Sequence, residues 1–110
     1  MTRFCCALFL LALAVPAFAQ DAKVEKGKQI YTAQKCQACH SVAGAGNKKG
    51  VLDDVGVRLK EDDIRQWIVA APDMAAKAKA DRKPPMKAYT LPKEDVDALV
   101  AYLVSLKKKA

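Results

Sequence analysis

The chain has 110 residues, with 19 Lys and Arg against 12 Asp and Glu and a formal net charge of +7. That length holds one domain and no more. A basic balance admits nucleic acid, anionic lipid or an acidic protein as partner, and the N-terminus bears on which.

Thr2-Arg3 gives a short positive start, Cys5 to Val15 is an unbroken apolar run of 11 residues, and Pro16 ends it before Ala17-Phe18-Ala19. Charge, apolar run and small-x-small triplet together predict a secretory signal peptide over residues 1–19, cleaved between Ala19 and Gln20. As a helix the run would rise only about 16 Å, roughly half of a bilayer's hydrocarbon core, which argues against a membrane anchor. No Cys stands at the cleavage site to mark a lipoprotein. The domain proper is then residues 20–110, exported to the periplasm or an equivalent compartment, without stable membrane insertion. An exported protein seldom meets nucleic acid. The lysines are left as a solvated surface or as a docking face for an acidic partner protein. A monomer is expected.

The remaining elements follow in chain order. Val24, Gly27, Ile30 and Tyr31 recur at spacings of three and four, predicting a helix from Val24 to about Lys35 with Asp21 as its cap. Ser41 to Gly50 reads as a loop, crowded with Gly44, Gly46, Asn47 and Gly50. Val51 to Leu59 is irregular. Glu61-Asp62-Asp63 opens a short helix, because carboxylates suit the positive end of the helix dipole. Ile64, Trp67 and Ile68 form its apolar stripe, and Pro72 ends it. Asp73 caps a further helical piece from Met74 to about Ala80. Pro84-Pro85 makes Lys83 to Thr90 an extended loop. Pro92 suits the first turn of the last helix, with Glu94-Asp95 behind it. Its apolar face is Val96, Leu99, Val100, Leu103 and Leu106, with Tyr102 alongside, and Lys107-Lys108-Lys109 lie at its negative end. No segment alternates as a strand does. The expected class is all-α, with helices at both ends of the domain.

Cys36-Gln37-Ala38-Cys39-His40 carries the chemistry. Two thiols spaced by two residues and followed at once by His form the c-type haem attachment pattern. Each thiol adds across one haem vinyl group to give a thioether, and the two-residue spacer matches the separation of the vinyls. The adjacent imidazole, neutral, then binds the iron. His40 is the only His in the chain, which limits the count to one haem c. A redox CxxC would need a strand–helix unit that this helical chain lacks. Zinc would need a fourth good ligand. For the other side of the iron the candidates are Met74 and Met86, or an open position. Met74 lies in an Ala-rich helical run where Met commonly fills core space. Met86 follows a rigid Pro-Pro pair that can present its side chain inward at low entropic cost, so Met86 is favoured. A small domain also needs a staple beyond its own core, and a large cofactor supplies one.

These segments resemble the class I monohaem cytochromes c, small bacterial members in particular, over nearly the whole domain. The resemblance rests on Gly27 and Tyr31 before Cys36-Gln37-Ala38-Cys39-His40, on Ile64-Arg65-Gln66-Trp67-Ile68, on Lys83-Pro84-Pro85-Met86-Lys87-Ala88-Tyr89, and on Leu99, Tyr102 and Leu103. It implies first and last helices that cross, with Gly27 admitting Tyr102 and its neighbours close to the first backbone. It implies Trp67 near the haem, able to donate to a propionate. Arg58 could do the same, although a surface role suits it better. Where many members have Gly-Pro-x-Leu, with the Pro carbonyl accepting from the proximal His, this chain has Gly50-Val51-Leu52-Asp53. The Val51 carbonyl would take that role. Asp54 replaces a common Gly and adds charge near the haem side. The function implied is that of a soluble electron carrier with His40 and Met86 as axial ligands and no bond-making chemistry of its own. A small-gas sensor with a displaceable sixth ligand and a bound subunit of an oxidoreductase are the alternatives.

Overall fold

The computed structural model describes residues 17–108. Five helices, α1 (Ala17–Ala33), α2 (Val55–Arg58), α3 (Glu61–Val69), α4 (Ala71–Ala78) and α5 (Lys93–Val104), are joined by loops that carry two 3-10 turns and one two-stranded hairpin. The signal-peptide reading falls mainly on residues 1–16, outside the described residues. Its last three residues form the start of α1. Among the described residues no helix is long and apolar enough to cross a membrane.

Helices α1 and α5 cross at Gly27. A Cβ there would fall on the Ala98 carbonyl and lie 2.7 Å from Cβ of Tyr102. The missing side chain therefore sets how closely the two backbones approach. Tyr31, one turn on from Gly27, meets Tyr102 edge to face, with ring centroids 5.6 Å apart at 66°. At the rim Lys26 pairs with Asp95 at 3.3 Å. Helix α3 packs on α5 through Ile64 and Ile68, both buried. Arg65 donates to Asp97 at 2.8 Å across the same contact. Lys93 adds a second donor at 3.2 Å, and these two hydrogen bonds hold the Asp97 carboxyl below its ordinary value. The core is Tyr31, Val55, Ile64, Ile68, Val96, Leu99, Val100, Tyr102 and Leu103. Full burial of such side chains contributes about 1.5–3 kcal/mol each.

Several expected boundaries move. Helix α1 starts at Ala17, so Asp21 sits inside it and does not cap it; Ala17 to Gln20 contain no breaker, and helix propagates through them. It ends two residues early because Lys35 takes a left-handed conformation, φ 58°. Pro72 opens α4 as well as following α3, and Asp73 lies in the first turn of α4 and does not cap it. Proline fits there because its missing N–H has no intrahelical acceptor. The loop after His40 holds a small antiparallel hairpin, Ser41–Val42 with Ala45–Gly46. Its two-residue turn, Ala43-Gly44, has positive φ at both positions, the conformation such hairpins favour. Two-residue strands are too short to show as alternation. Beyond α5 the chain is pinned back: Gly56 N–H donates to Leu106 O at 2.8 Å and Lys108 N–H to Asp53 O at 3.0 Å. Lys107 and Lys108 therefore follow the helix end, and Lys109 lies outside the described residues.

Candidate functional site

A cavity of about 1180 Å³ opens between α1, α3, α5 and the two long loops. It exceeds the roughly 300–1,000 Å³ of ordinary small-molecule sites. Its apolar walls include Val55, Leu59, Ile64, Ile68, Leu99 and Leu103. Cys36, Cys39, His40, Trp67 and Met86 all line it, and Met74 does not.

The motif is placed by a 3-10 turn over Cys36–Ala38. Cys39 N–H and His40 N–H both donate to Cys36 O, at 3.1 and 2.9 Å. That double acceptance folds five residues so that both thiols and the imidazole face one wall. Both thiols are free. Burial pushes the Cys36 thiol up to about 11. A redox dithiol needs a depressed thiol, so this environment is wrong for one. Among the described residues no group of three His, Cys, Asp or Glu side chains is gathered so as to hold a metal ion by itself.

His40 Nδ1 donates to the Gly50 carbonyl at 3.1 Å. This leaves Nε2 with its lone pair free. Burial lowers the His40 pKa, outweighing the Gly50 hydrogen bond that raises it, and the Arg82 charge lowers it further. The ring is thus kept neutral and oriented, as a ligand must be. The acceptor is Gly50 and not Val51, a correction to the sequence reading. Val51 is bridged to Ser41, and Leu52 N–H donates to Ser41 O at 2.9 Å. Held this way, the Val51 carbonyl takes Arg58 Nη2 at 3.3 Å.

Met86 comes from the irregular segment between α4 and α5, where Tyr89 N–H donates to Ile68 O at 2.9 Å and ties the segment to α3. Lys87 lies over the Tyr89 ring, 5.0 Å from its centroid. Trp67 is half-buried at the wall. Arg58 binds Asp54 at 2.7 Å with both side chains well exposed. It is therefore a surface arginine, and the charge that Asp54 adds is balanced beside it. Sequence reasoning missed three contributors. The sequence marks Gly50 as a loop residue heading the Gly50-Val51-Leu52-Asp53 segment but not as the acceptor, Arg82 lies unremarked in a Lys-rich stretch, and the Tyr31 hydroxyl, buried without a partner, gives no signal at all.

Two thiols on one turn, a neutral imidazole next to them, a thioether on a separate segment and a broad apolar slot suit a flat macrocycle bearing iron. The donor set on these walls is that of a covalently bound haem. The chain belongs to the cytochrome c family, whose model, described as Cytochrome c, matches residues 24–107. It is a class I member: a haem c-binding electron-transfer protein with a covalently attached cofactor, and Cys36 and Cys39 fit the attachment motif. The comparisons with curated proteins and with solved structures find no match.

Proposed function

We propose that the protein is a soluble one-electron carrier with the haem iron held by His40 and Met86. The observation that carries this reading is the convergence of His40 and Met86, from segments far apart in the chain, on one cavity that Met74 does not reach. The haem supplies the Fe(II)/Fe(III) couple. The chain's part is to hold it. His40 is oriented by Gly50, and a thioether opposite favours Fe(II) and raises the potential. The apolar walls exclude water and keep reorganisation small. We assign no enzymatic role, because the proposed carriage of electrons makes and breaks no substrate bond. The rim supports an acidic partner, since Lys35, Lys49, Lys87 and Lys108 line the cavity and are all exposed. Export follows from the leader and would give a mature chain beginning at Gln20, which the mass of the purified protein reads directly.

The test of the ligand set is Met86→Ala against Met74→Ala. Loss of the weak red charge-transfer band of thioether-bound ferric iron in the first variant alone is the expected result. Retention of the band in Met86→Ala would refute the ligation. A wild-type protein without the band that binds carbon monoxide rapidly when reduced would instead be a gas-binding protein.

A further inference from the structure

The carbonyl that orients His40 belongs to Gly50, and a carbonyl is aimed by the backbone on either side of it. Beyond Gly50 the chain is fixed by the Ser41–Val51 bridge and by Leu52 N–H, which donates to Ser41 O at 2.9 Å. Before it runs the short turn Lys48–Gly50, entered from Asn47. Lys48 and Lys49 are exposed, so apolar burial does not hold that turn in place. Polar contacts have to.

Asn47 supplies them in both directions. Toward the attachment motif, its N–H is shared between Gln37 O at 3.1 Å and His40 O at 2.9 Å, and its Nδ2 donates to Ala38 O at 3.3 Å. Toward the turn, its Oδ1 accepts from Lys49 N–H at 3.0 Å, and its carbonyl accepts from Gly50 N–H at 3.1 Å. One half-buried residue thus joins three residues of the motif to the two N–H groups that precede the His40 acceptor. The wall leaves no slack. A Cβ on Gly46 would fall on the His40 carbonyl, and one on Gly50 would fall on the Cys39 carbonyl and the Arg82 guanidinium. Backbone lies against backbone here, so a shift of the turn moves the Gly50 carbonyl relative to the ring.

The backbone bonds of Asn47 would survive a change of side chain, but the bonds to Ala38 and Lys49 would not. Together they need a donor and an acceptor on one short side chain, which a carboxamide offers.

We propose that Asn47 is a positioning residue for the haem ligand: its carboxamide, held between Ala38 O and Lys49 N–H, keeps the Gly50 carbonyl on His40 Nδ1 and so sets how basic that ligand is. The inference rests on His40 as a ligand, and it stands whichever residue is the sixth.

The holoproteins of wild type, Asn47→Ala, Asn47→Ser and Asp97→Asn are compared by reduction potential and by solvent exchange of the His40 Nδ1–H signal. Asn47→Ala removes both side-chain bonds. Asn47→Ser keeps a short acceptor for Lys49 N–H. Asp97→Asn weakens the remote pair with Arg65 and so reads what a general loss of stability does. In Asn47→Ala the ring N–H is expected to exchange roughly tenfold faster, as loss of a net hydrogen bond produces. The potential is expected to rise, because a less basic imidazole stabilises Fe(III) less. Asn47→Ser should recover part of both effects, and Asp97→Asn should move neither. The wild type gives a reading that needs no variant: protection of the ring N–H should fall together with that of the Lys49 and Gly50 amides as denaturant is added. An Asn47→Ala protein equal to wild type in both readings, an equal shift in Asp97→Asn, or a ring N–H that stays protected where those two amides have opened would each overturn the assignment. A wild-type His40 ring without hyperfine shift in the oxidised protein would overturn the ligation itself, and the proposal with it.

Discussion

Gly27→Ala is a change that helix propensity favours and packing forbids. Alanine is better than glycine in a helix interior by about 1 kcal/mol, so on an open helix the substitution stabilises. Here the new Cβ would fall on the Ala98 carbonyl and lie 2.7 Å from both the Ala98 carbonyl carbon and Cβ of Tyr102, where ordinary contact begins at 3.4 Å. Two of those three atoms belong to the α5 backbone, which cannot turn aside as a side chain can. The Ala98 carbonyl oxygen, 2.0 Å from the new Cβ, is the limiting contact; α5 must retreat from α1 by about 1 Å or more, and a gap of that order forfeits about half of each dispersion contact it opens. The Tyr31–Tyr102 pair sits inside the separated region. Overpacking of this kind costs about 1–3 kcal/mol or more before the propensity gain is subtracted. A net loss of about 1–3 kcal/mol is a large share of a stability of roughly 5–15 kcal/mol. The assay is guanidinium unfolding of the holoprotein followed by Trp67 fluorescence, which the haem quenches in the fold. A Gly27→Ala midpoint equal to or above wild type would show that the two helices do not meet at this carbonyl.

Other variants probe other parts of the same frame. Gly50→Ala places a Cβ against Arg82 and 2.8 Å from His40 Nδ1; it is expected to weaken the His40–Gly50 hydrogen bond, make the ligand less basic and raise the reduction potential, as voltammetry would show. Burial raises Tyr31 from 10.0 to about 12, so the folded state keeps a proton that the unfolded state gives up. Stability from this group is complete below about pH 10 and falls between about pH 10 and 12, and Tyr31→Phe should flatten that part of an alkaline unfolding profile. Because the Tyr31 hydroxyl is buried without a partner, Tyr31→Phe is also expected to match or exceed wild-type stability at neutral pH, by up to about 1 kcal/mol; a clear loss in thermal unfolding would mean the hydroxyl is bonded in the holoprotein. Electron-transfer rates with an acidic partner should fall as salt rises, and charge reversal at Lys49 and Lys87 should flatten that dependence.

What the sequence disclosed was whatever is local. The attachment motif is five consecutive residues, so its chemistry could be read without a fold. The α5 stripe shows as a helical period, and Val96, Leu99, Val100 and Leu103 are all buried. The α3 stripe was equally plain, with Ile64 and Ile68 buried and Trp67 at the cavity wall. Helix ends were less legible, because Asp21 and Pro72 each suit two positions near a terminus. Contacts between distant segments were legible only where the family resemblance supplied them, as at Gly27 and Tyr102. The Gly50 carbonyl reaches His40 only because the Ser41–Val51 bridge turns Val51 away. Arg82 reaches Gly50 across a gap in sequence that no spacing rule spans. In composition Arg58 and Arg82 are the same residue, and only the neighbouring Asp54 separates a surface pair from a half-buried charge.

The raised Cys36 thiol has a consequence for the order of events in the protein's making. Addition of sulfur to a vinyl group proceeds through the thiolate. In the closed fold that thiol would ionise only near pH 11, and it sits half-buried on the 3-10 turn. At neutral pH it is a poor nucleophile. On an open chain the same thiol returns to the ordinary range of about 8.5 and is free to approach. Attachment through Cys36 is therefore expected to be easier on the open chain than in the closed fold.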